Sequence, residues 1–491
     1  MSGLAATGIK GLDEVLAGGL TRERLYLVEG PPGAGKTTTA LQFLLEGRAR
    51  GESGLYITLS ETKQELTAVA TSHGWTLDGL HLFEVTPSQD ALRSDQQYTV
   101  FHPSEVELSE TTRAIREIVD RVNPSRVIFD SLSELRLLAG STLRYRRQVL
   151  ALKQFLAERK CTVLVLDDSS TADHELHVQT LAHGILVLER NQPEYGNERR
   201  RLHVLKYRGH AYSGGYHDFV IRKGGLVVFR RLVAKEARHG LQAEKLASGI
   251  AGIDALMGGG IERGTSTLIA GAAGCGKSTL AVGFAVSAAE RGQRAAMFLF
   301  DESVSTLMSR CDGLNLQVRR HIESGHVTAQ QVDPAELCPG ELMHAIIDAA
   351  DGGASVIVID SLNGYLNALP EERFLLIQLH ELLTYLGERG VATILVGAQR
   401  GIIGSNMATP ADASYLADAV VLLRYFESGG EVHQAISVVK KRGGAHERTI
   451  REFRLTAGGI EVGEPLRQFR GVLTGVPVYD ERSAMPLKEG A

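Results

Sequence analysis

Residues 30–37 read Gly30-Pro31-Pro32-Gly33-Ala34-Gly35-Lys36-Thr37, and residues 271–278 read Gly271-Ala272-Ala273-Gly274-Cys275-Gly276-Lys277-Ser278. Both fit G-x-x-x-x-G-K-[ST], the phosphate-binding P-loop. The glycines let the backbone curl so that successive N–H groups converge on one anion. The lysine reaches the β- and γ-phosphates, and the Thr or Ser hydroxyl ligates Mg²⁺. Each loop follows an apolar run, Leu25-Tyr26-Leu27-Val28-Glu29 or Thr267-Leu268-Ile269-Ala270. Each precedes a helical pattern opened by Thr38 or Thr279, and the helix N-terminus points at the same anion. Strand, loop and helix in that order predict two ATP sites. One uses Gly30, Gly33, Ala34, Gly35, Lys36, Thr37 and Thr38. The other uses Gly271, Gly274, Cys275, Gly276, Lys277, Ser278 and Thr279.

The loops belong to a longer duplication. The second begins 241 residues after the first, and Thr7-Gly8-Ile9-Lys10-Gly11-Leu12-Asp13 recurs at the same spacing as Ser248-Gly249-Ile250-Ala251-Gly252-Ile253-Asp254. Register held that long argues for a duplicated domain. A polar stretch, Ala234 to Gly240, separates the copies. The expected domains are therefore residues 1–240 and 241–491. Each is expected to be α/β, a mainly parallel sheet flanked by helices.

The chemistry should lie beyond the strand C-termini. Gly54-Leu55-Tyr56-Ile57-Thr58-Leu59 leads to Glu61, and Arg294 to Phe300 leads to Asp301-Glu302. A carboxylate there is placed to activate a water at a γ-phosphate. Helix capping is the competing role for these residues. The buried runs ending Asp130-Ser131 and Asp360-Ser361 place Asp130 and Asp360 with Thr37 and Ser278 around Mg²⁺. A later strand, Thr162 to Leu166, matches Thr393 to Val396. Lys206-Tyr207-Arg208-Gly209 and Lys440-Lys441-Arg442-Gly443 close each copy. Their alternating cations suit a triphosphate or, equally, an exposed hairpin.

Composition removes several classes. Hydrophobic residues make up 43% and charged residues 23%, with a net charge of −5, so no overall basic field attracts nucleic acid. No apolar run is long enough for a bilayer. The N-terminus lacks a secretory pattern. The 4 cysteines are scattered without a CxxC pair, which points to reduced thiols and a cytoplasmic protein. Asp173-His174-Glu175-Leu176-His177 does not fit a zinc motif and reads as a solvated helix face.

Together these residues resemble the KaiC family over almost the whole chain. The specific features are the repeated Gly-Ile-x-Gly-[Leu/Ile]-Asp motif, both P-loops, both Asp-Ser strand ends and both Lys-x-Arg-Gly strands. Asp418-Ala419-Val420-Val421-Leu422-Leu423-Arg424-Tyr425 and Arg442-Gly443-Gly444-Ala445-His446 add to them. The resemblance implies two RecA-like P-loop NTPase domains, a homohexameric double ring with ATP at subunit interfaces, and signalling or Kai-type partners. It implies that Lys206, Arg208, Lys440 and Arg442 reach the neighbour's phosphates. The first ring of the family is a slow ATPase and the second an autokinase and autophosphatase. The family's adjacent Ser and Thr acceptors correspond to Ser414 and Tyr415, so Ser414 is the expected phosphorylation site. Its paired carboxylates correspond to Ser60-Glu61 and Asp301-Glu302, and the chain after Phe469 is short.

Two other readings share the core fold. One is a DNA-dependent ATPase, for which Glu198-Arg199-Arg200-Arg201 would be a basic loop. The other is a scaffold that uses ATP only to assemble. Cys275 reads as a small residue tolerated at a variable position of the loop; the competing reading is a thiol whose pKa is lowered by the nest of N–H groups.

Overall fold

The computed structural model describes residues 3–85, 103–168, 176–233, 244–367, 374–399, 413–474 and 478–479. The chain divides into two compact units, Met1–Arg231 and Leu232–Ala491. The expected boundary near residue 240 lies outside the described residues, as does the start of the Asp173–His177 run.

In the first unit the main sheet comprises β1 (Leu25–Gly30), β2 (Gly54–Thr58), β3 (His81–Glu84), β4 (Arg126–Asp130), β5 (Thr162–Asp168), β6 (Gly184–Asn191), β7 (Arg199–Tyr207), β8 (His217–Arg222) and β9 (Gly225–Phe229). Their order is β9-β8-β7-β6-β1-β5-β4-β2-β3. From β3 to β6 every pairing is parallel, and β7 to β9 add an antiparallel edge. A central parallel strand is covered on both faces, so it reads as continuous apolar sequence. Tyr26 and Val28 of β1 enter one core with Leu41 and Phe43 of the P-loop helix. Leu25 and Leu27 enter a second core with Val149 and Phe155.

The second unit repeats the plan with β10 (Ser266–Gly271), β11 (Arg294–Leu299), β12 (Val327–Gln331), β13 (Ala354–Asp360), β14 (Ala392–Ala398), β15 (Ala419–Ser428), β16 (Glu431–Lys441), β17 (Arg451–Thr456) and β18 (Gly459–Pro465). The order is β12-β11-β13-β14-β10-β15-β16-β17-β18. Ile269 faces one core and Leu268 and Ala270 the other. These are two tandem RecA-like α/β domains, each a mainly parallel sheet flanked by helices. The match between β5 and β14 is one residue from the sequence alignment. Leu25 pairs with Val163, whereas its counterpart Ser266 pairs with Thr393. The counterpart of Thr162 is therefore Ala392.

The repeated Gly-Ile-x-Gly motif forms a self-capped turn. The backbone N–H and hydroxyl of Thr7 donate to Asp13 Oδ1 at 2.9 and 2.8 Å. In the other copy the Ser248 N–H donates to Asp254 Oδ1 at 2.6 Å. Gly11 has φ 81°, and a Cβ there would lie 1.9 Å from the Val228 carbonyl oxygen, so only glycine fits.

Candidate active sites

Both P-loops leave a central strand and enter a helix through a left-handed glycine. Gly33 and Gly35 have φ 74° and 101°, Gly274 and Gly276 77° and 95°. Helices Lys36–Ala49 and Lys277–Glu290 start with no side-chain cap, so their first N–H groups remain for an anion. Lys36 Nζ donates to the Gly30 and Pro31 carbonyls at 2.7 and 3.2 Å and to Asp168 Oδ1 at 2.8 Å. Lys277 Nζ donates to the Ala272 carbonyl at 2.6 Å.

Around the first loop, the tip of β2 fixes Glu61. The Glu61 N–H donates to Thr58 Oγ1 at 2.9 Å, and that hydroxyl donates to the Glu61 carbonyl at 2.8 Å. Thr62, not Glu61, caps the next helix, in a reciprocal box with Glu65. Ser303 caps the corresponding helix in the second copy. The carboxylates at 61 and 302 therefore stand apart from capping. Thr37 Oγ1 donates to Glu61 Oε1 at 3.4 Å, while Glu61 Oε2 is buried with no partner among the described residues. Burial, then the charge of Asp130, raises the Glu61 pKa, which strengthens it as a base. Asp130 is buried at the tip of β4 and accepts a 2.6 Å bond from the Tyr56 hydroxyl.

The second loop has the same frame with different partners. Burial pushes Asp360 up to about 6, partly offset by the Ser278 hydroxyl. Ser361 Oγ donates to Asp301. Glu302 forms an ion pair of 2.5 Å with Arg310, whose other nitrogen donates to Thr279 Oγ1 at 2.8 Å. Cys275 follows the small-residue reading, not that of an activated thiol. Its thiol is buried, a Cβ on Gly271 would lie 2.7 Å from its sulfur, and burial raises its pKa despite Lys277. Desolvation outweighs the N–H nest, so this thiol is not an activated one.

The orphaned Glu61 oxygen beside Thr37, the buried Asp130 and the Ser278–Asp360 pairing fit a magnesium nucleotide: hard oxygen donors beside a phosphate cradle. Among the described residues no group of three or more His, Cys, Asp or Glu side chains forms a protein-only metal cage.

Lys206, Arg208, Lys440 and Arg442 sit at the other end of each sheet. Lys206 pairs across to Ile185, near the start of β6, and Lys440 to Val420, near the start of β15. Lys206 Nζ donates to the Gln179 carbonyl at 2.7 Å and Arg208 to that of Thr180 at 2.9 Å. In the second domain Lys440 donates to the Ser414 and Ala417 carbonyls, each at 2.8 Å, and Arg442 to that of Tyr415 at 2.9 Å. Ser414 thus lies beside the cation pair. Glu198-Arg199-Arg200-Arg201 is not an open loop. It leads into β7, with Arg190 and Arg200 ion-paired to Glu198 and Arg201 over the Tyr216 ring.

The ATPase family described as KaiC matches residues 5–233 and 246–467, one domain each. The chain belongs to the KaiC ATPase family. It is 27% identical to circadian clock protein KaiC3 of Synechocystis sp. over 99% of this chain and 96% of that protein. It is 27% identical to the circadian clock oscillator proteins KaiC of Thermostichus vulcanus and Synechococcus elongatus, in each case over 98% of this chain and 93% of the relative. No helix among the described residues is long and apolar enough to cross a membrane.

Within this KaiC-family frame, Asp168 was not visible as a site residue. It follows the buried Asp167, which is held by Arg136 and Ser133 at 2.8 and 2.7 Å. Its counterpart is Ala398, the last residue of β14. Asp168 pairs with Lys36, the lysine expected to contact phosphate. Asp168→Asn is expected to tighten ATP binding at the first site about fivefold, the scale of a half-exposed ion pair worth about 1 kcal/mol. Titration of a fluorescent ATP analogue into the Lys277→Ala background measures this.

Proposed function

We propose that this KaiC-family protein is a slow Mg²⁺-dependent ATPase that signals through nucleotide-driven self-association, with Ser414 as a phosphoryl acceptor. The observation that carries the reading is Glu61: fixed by Thr58, raised in pKa by burial, with one oxygen lacking a partner beside Thr37. Glu61 would take the proton from a water attacking the γ-phosphate. The P-loop N–H groups and Lys36 would hold the phosphates in line. Mg²⁺, held through Thr37 and Asp130 or through Ser278 and Asp360, would neutralise charge on the phosphate oxygens.

In the second domain Arg310 draws Glu302 into an ion pair and Ser361 engages Asp301. Both carboxylates are already engaged by neighbouring side chains there, which supports slow water attack and leaves phosphate for a hydroxyl. The four Lys-x-Arg cations lie at the sheet end away from their own P-loop, which supports delivery to a neighbouring copy's nucleotide. Ser414, bonded through its carbonyl to Lys440, would then face that nucleotide in a homohexamer. Kai-type or other signalling proteins are the partners we propose to read the state of the ring.

Incubation of the full chain with Mg·ATP, followed by ADP release, intact mass and phosphopeptide mapping, tests this. Slow ADP release lost in Lys36→Ala, and a phosphate on Ser414 lost in Lys277→Ala, are the expected results. Turnover equal to that of the double lysine variant would leave a non-catalytic scaffold instead.

A further inference from the structure

The end of the first domain's sheet away from the P-loop holds a cavity of about 280 Å³. Leu25 at the start of β1 and Val163 in β5 line it, so it lies below the strand N-termini. Arg24, Lys153, His183 and Arg208 also line it.

These basic groups lack carboxylate partners among the described residues. Arg24 Nη1 donates to the Glu23 carbonyl at 3.0 Å, Lys153 Nζ to that of Leu181 at 2.7 Å, and Arg208 Nη2 to that of Thr180 at 2.9 Å. His183 Nε2 is buried with no partner among the described residues. Glu23 is on the wall but makes no ion pair with them. The crowding is felt electrostatically. Burial, then Arg208 and Arg24, lower the pKa of Lys153. Burial, then Arg24, Arg208, Lys153 and Lys206, lower that of His183. Like charges held together around an open space are unfavourable until an anion enters.

The second domain shows the same place without this chemistry. Strand register gives Thr265 for Arg24 and Asp418 for His183. The shift between β5 and β14 gives the buried Leu383 for Lys153. Asp418 accepts from Arg442 at 3.3 Å and from the Ser266 hydroxyl at 3.1 Å. There the arginine has an internal counterion, whereas in the first domain Arg208 has none among the described residues.

We propose that this cavity is a phosphate-oxyanion site, in which Arg24, Lys153 and His183 bind the anion together with Arg208. Guanidinium and ammonium donors around a water-accessible pocket suit the three oxygens of a terminal phosphate. The anion comes either from free phosphate or from the nucleotide of a second copy. The second source rests on the neighbour-facing assignment of Lys206 and Arg208 above.

Two arms separate the sources. In the first, inorganic phosphate and pyrophosphate are titrated calorimetrically into full-length Lys36→Ala/Lys277→Ala protein, where neither P-loop lysine contributes. In the second, ATP-driven self-association of the otherwise wild-type chain is followed by mass photometry. The test variants are Lys153→Leu and His183→Asp, the residues the second domain uses, with Arg24→Thr in reserve if either lowers the melting temperature. A saturable phosphate site weakened tenfold or more by the variants assigns free anion. No phosphate binding, but a tenfold or greater rise in the concentration needed for assembly, assigns the second copy's nucleotide. Folded variants that change neither overturn the proposal. ATP analogue binding to the wild type, measured alongside, reports separately on the P-loops. Its loss would sink the ATPase reading without touching the phosphate titration.

Discussion

Glu61→Gln is expected to lower ADP release from the first site by about 10²- to 10⁴-fold, the range for loss of a positioned general base, with nucleotide affinity nearly unchanged. Gln keeps the shape and can still accept from Thr37, but it cannot take a proton. The site favours Glu61 over Ser60, which is exposed and has no carboxylate. Burial and Asp130 raise the affinity of Glu61 for a proton, and its free oxygen points to an unfilled hydrogen-bonding role. Steady-state turnover in the Lys277→Ala background isolates this site. Glu302→Gln in the Lys36→Ala background is expected to do much less, since Arg310 already holds that carboxylate. Equal losses at the two sites would show that the Arg310 pair does not restrain Glu302. Full activity in Glu61→Gln would move the base elsewhere.

The features legible in the sequence were those written twice. Glycines at fixed φ, an apolar strand on each side of them and an Asp closing a buried run are local requirements, so spacing alone exposed them. The two sheets follow from the same patterns. Tyr56 on Asp130 and Asp168 on Lys36 were not legible, because each joins residues distant in sequence, and Arg310 on Glu302, only eight residues apart, depends on how the helix after Ser303 is set against the strand tip. All three occur in only one copy: the positions aligned with them hold Met297, Val69 and Ala398. A comparison of the copies for differences near the P-loops, instead of for matches, was the available signal. The lowered pKa considered for Cys275 fails because the sequence displays the N–H nest but not the packing that desolvates the thiol. The cations of Arg199 to Arg201 looked available for DNA because their Glu198 and Tyr216 partners cannot be read from a run of like charge.

Arg126→Val is expected to destabilise the first domain by about 3–5 kcal/mol, the scale for breaking a buried ion pair from one side. Arg126 is fully buried at the start of β4. Its Nε meets Glu52 at 2.5 Å, its Nη1 donates to the Ala6 and Phe43 carbonyls at 2.7 and 2.8 Å, and its guanidinium lies 4.5 Å from the Phe43 ring. One side chain thus ties the N-terminal segment, the P-loop helix and the Asp130 strand together. The helix makes room for it with Gly47, where a Cβ would lie 2.5 Å from Arg126 Cδ. The second domain solves the same junction without a buried charge. Val356 stands at the Arg126 position and the buried Ala288 at that of Gly47. Arg291, from the surface, donates to the Ala247 carbonyl at 2.9 Å, the counterpart of Ala6. Gly47→Ala should therefore change sign with its background. Beside Arg126 it clashes and destabilises. In the Arg126→Val background it fills space and gains helix propensity, recovering about 1 kcal/mol. Calorimetry of the full chain reads both effects as shifts of the first domain's transition, about 2–4 °C per kcal/mol for a domain of this size. A Gly47→Ala effect of the same sign in both backgrounds would show that Arg126 does not set the identity of residue 47.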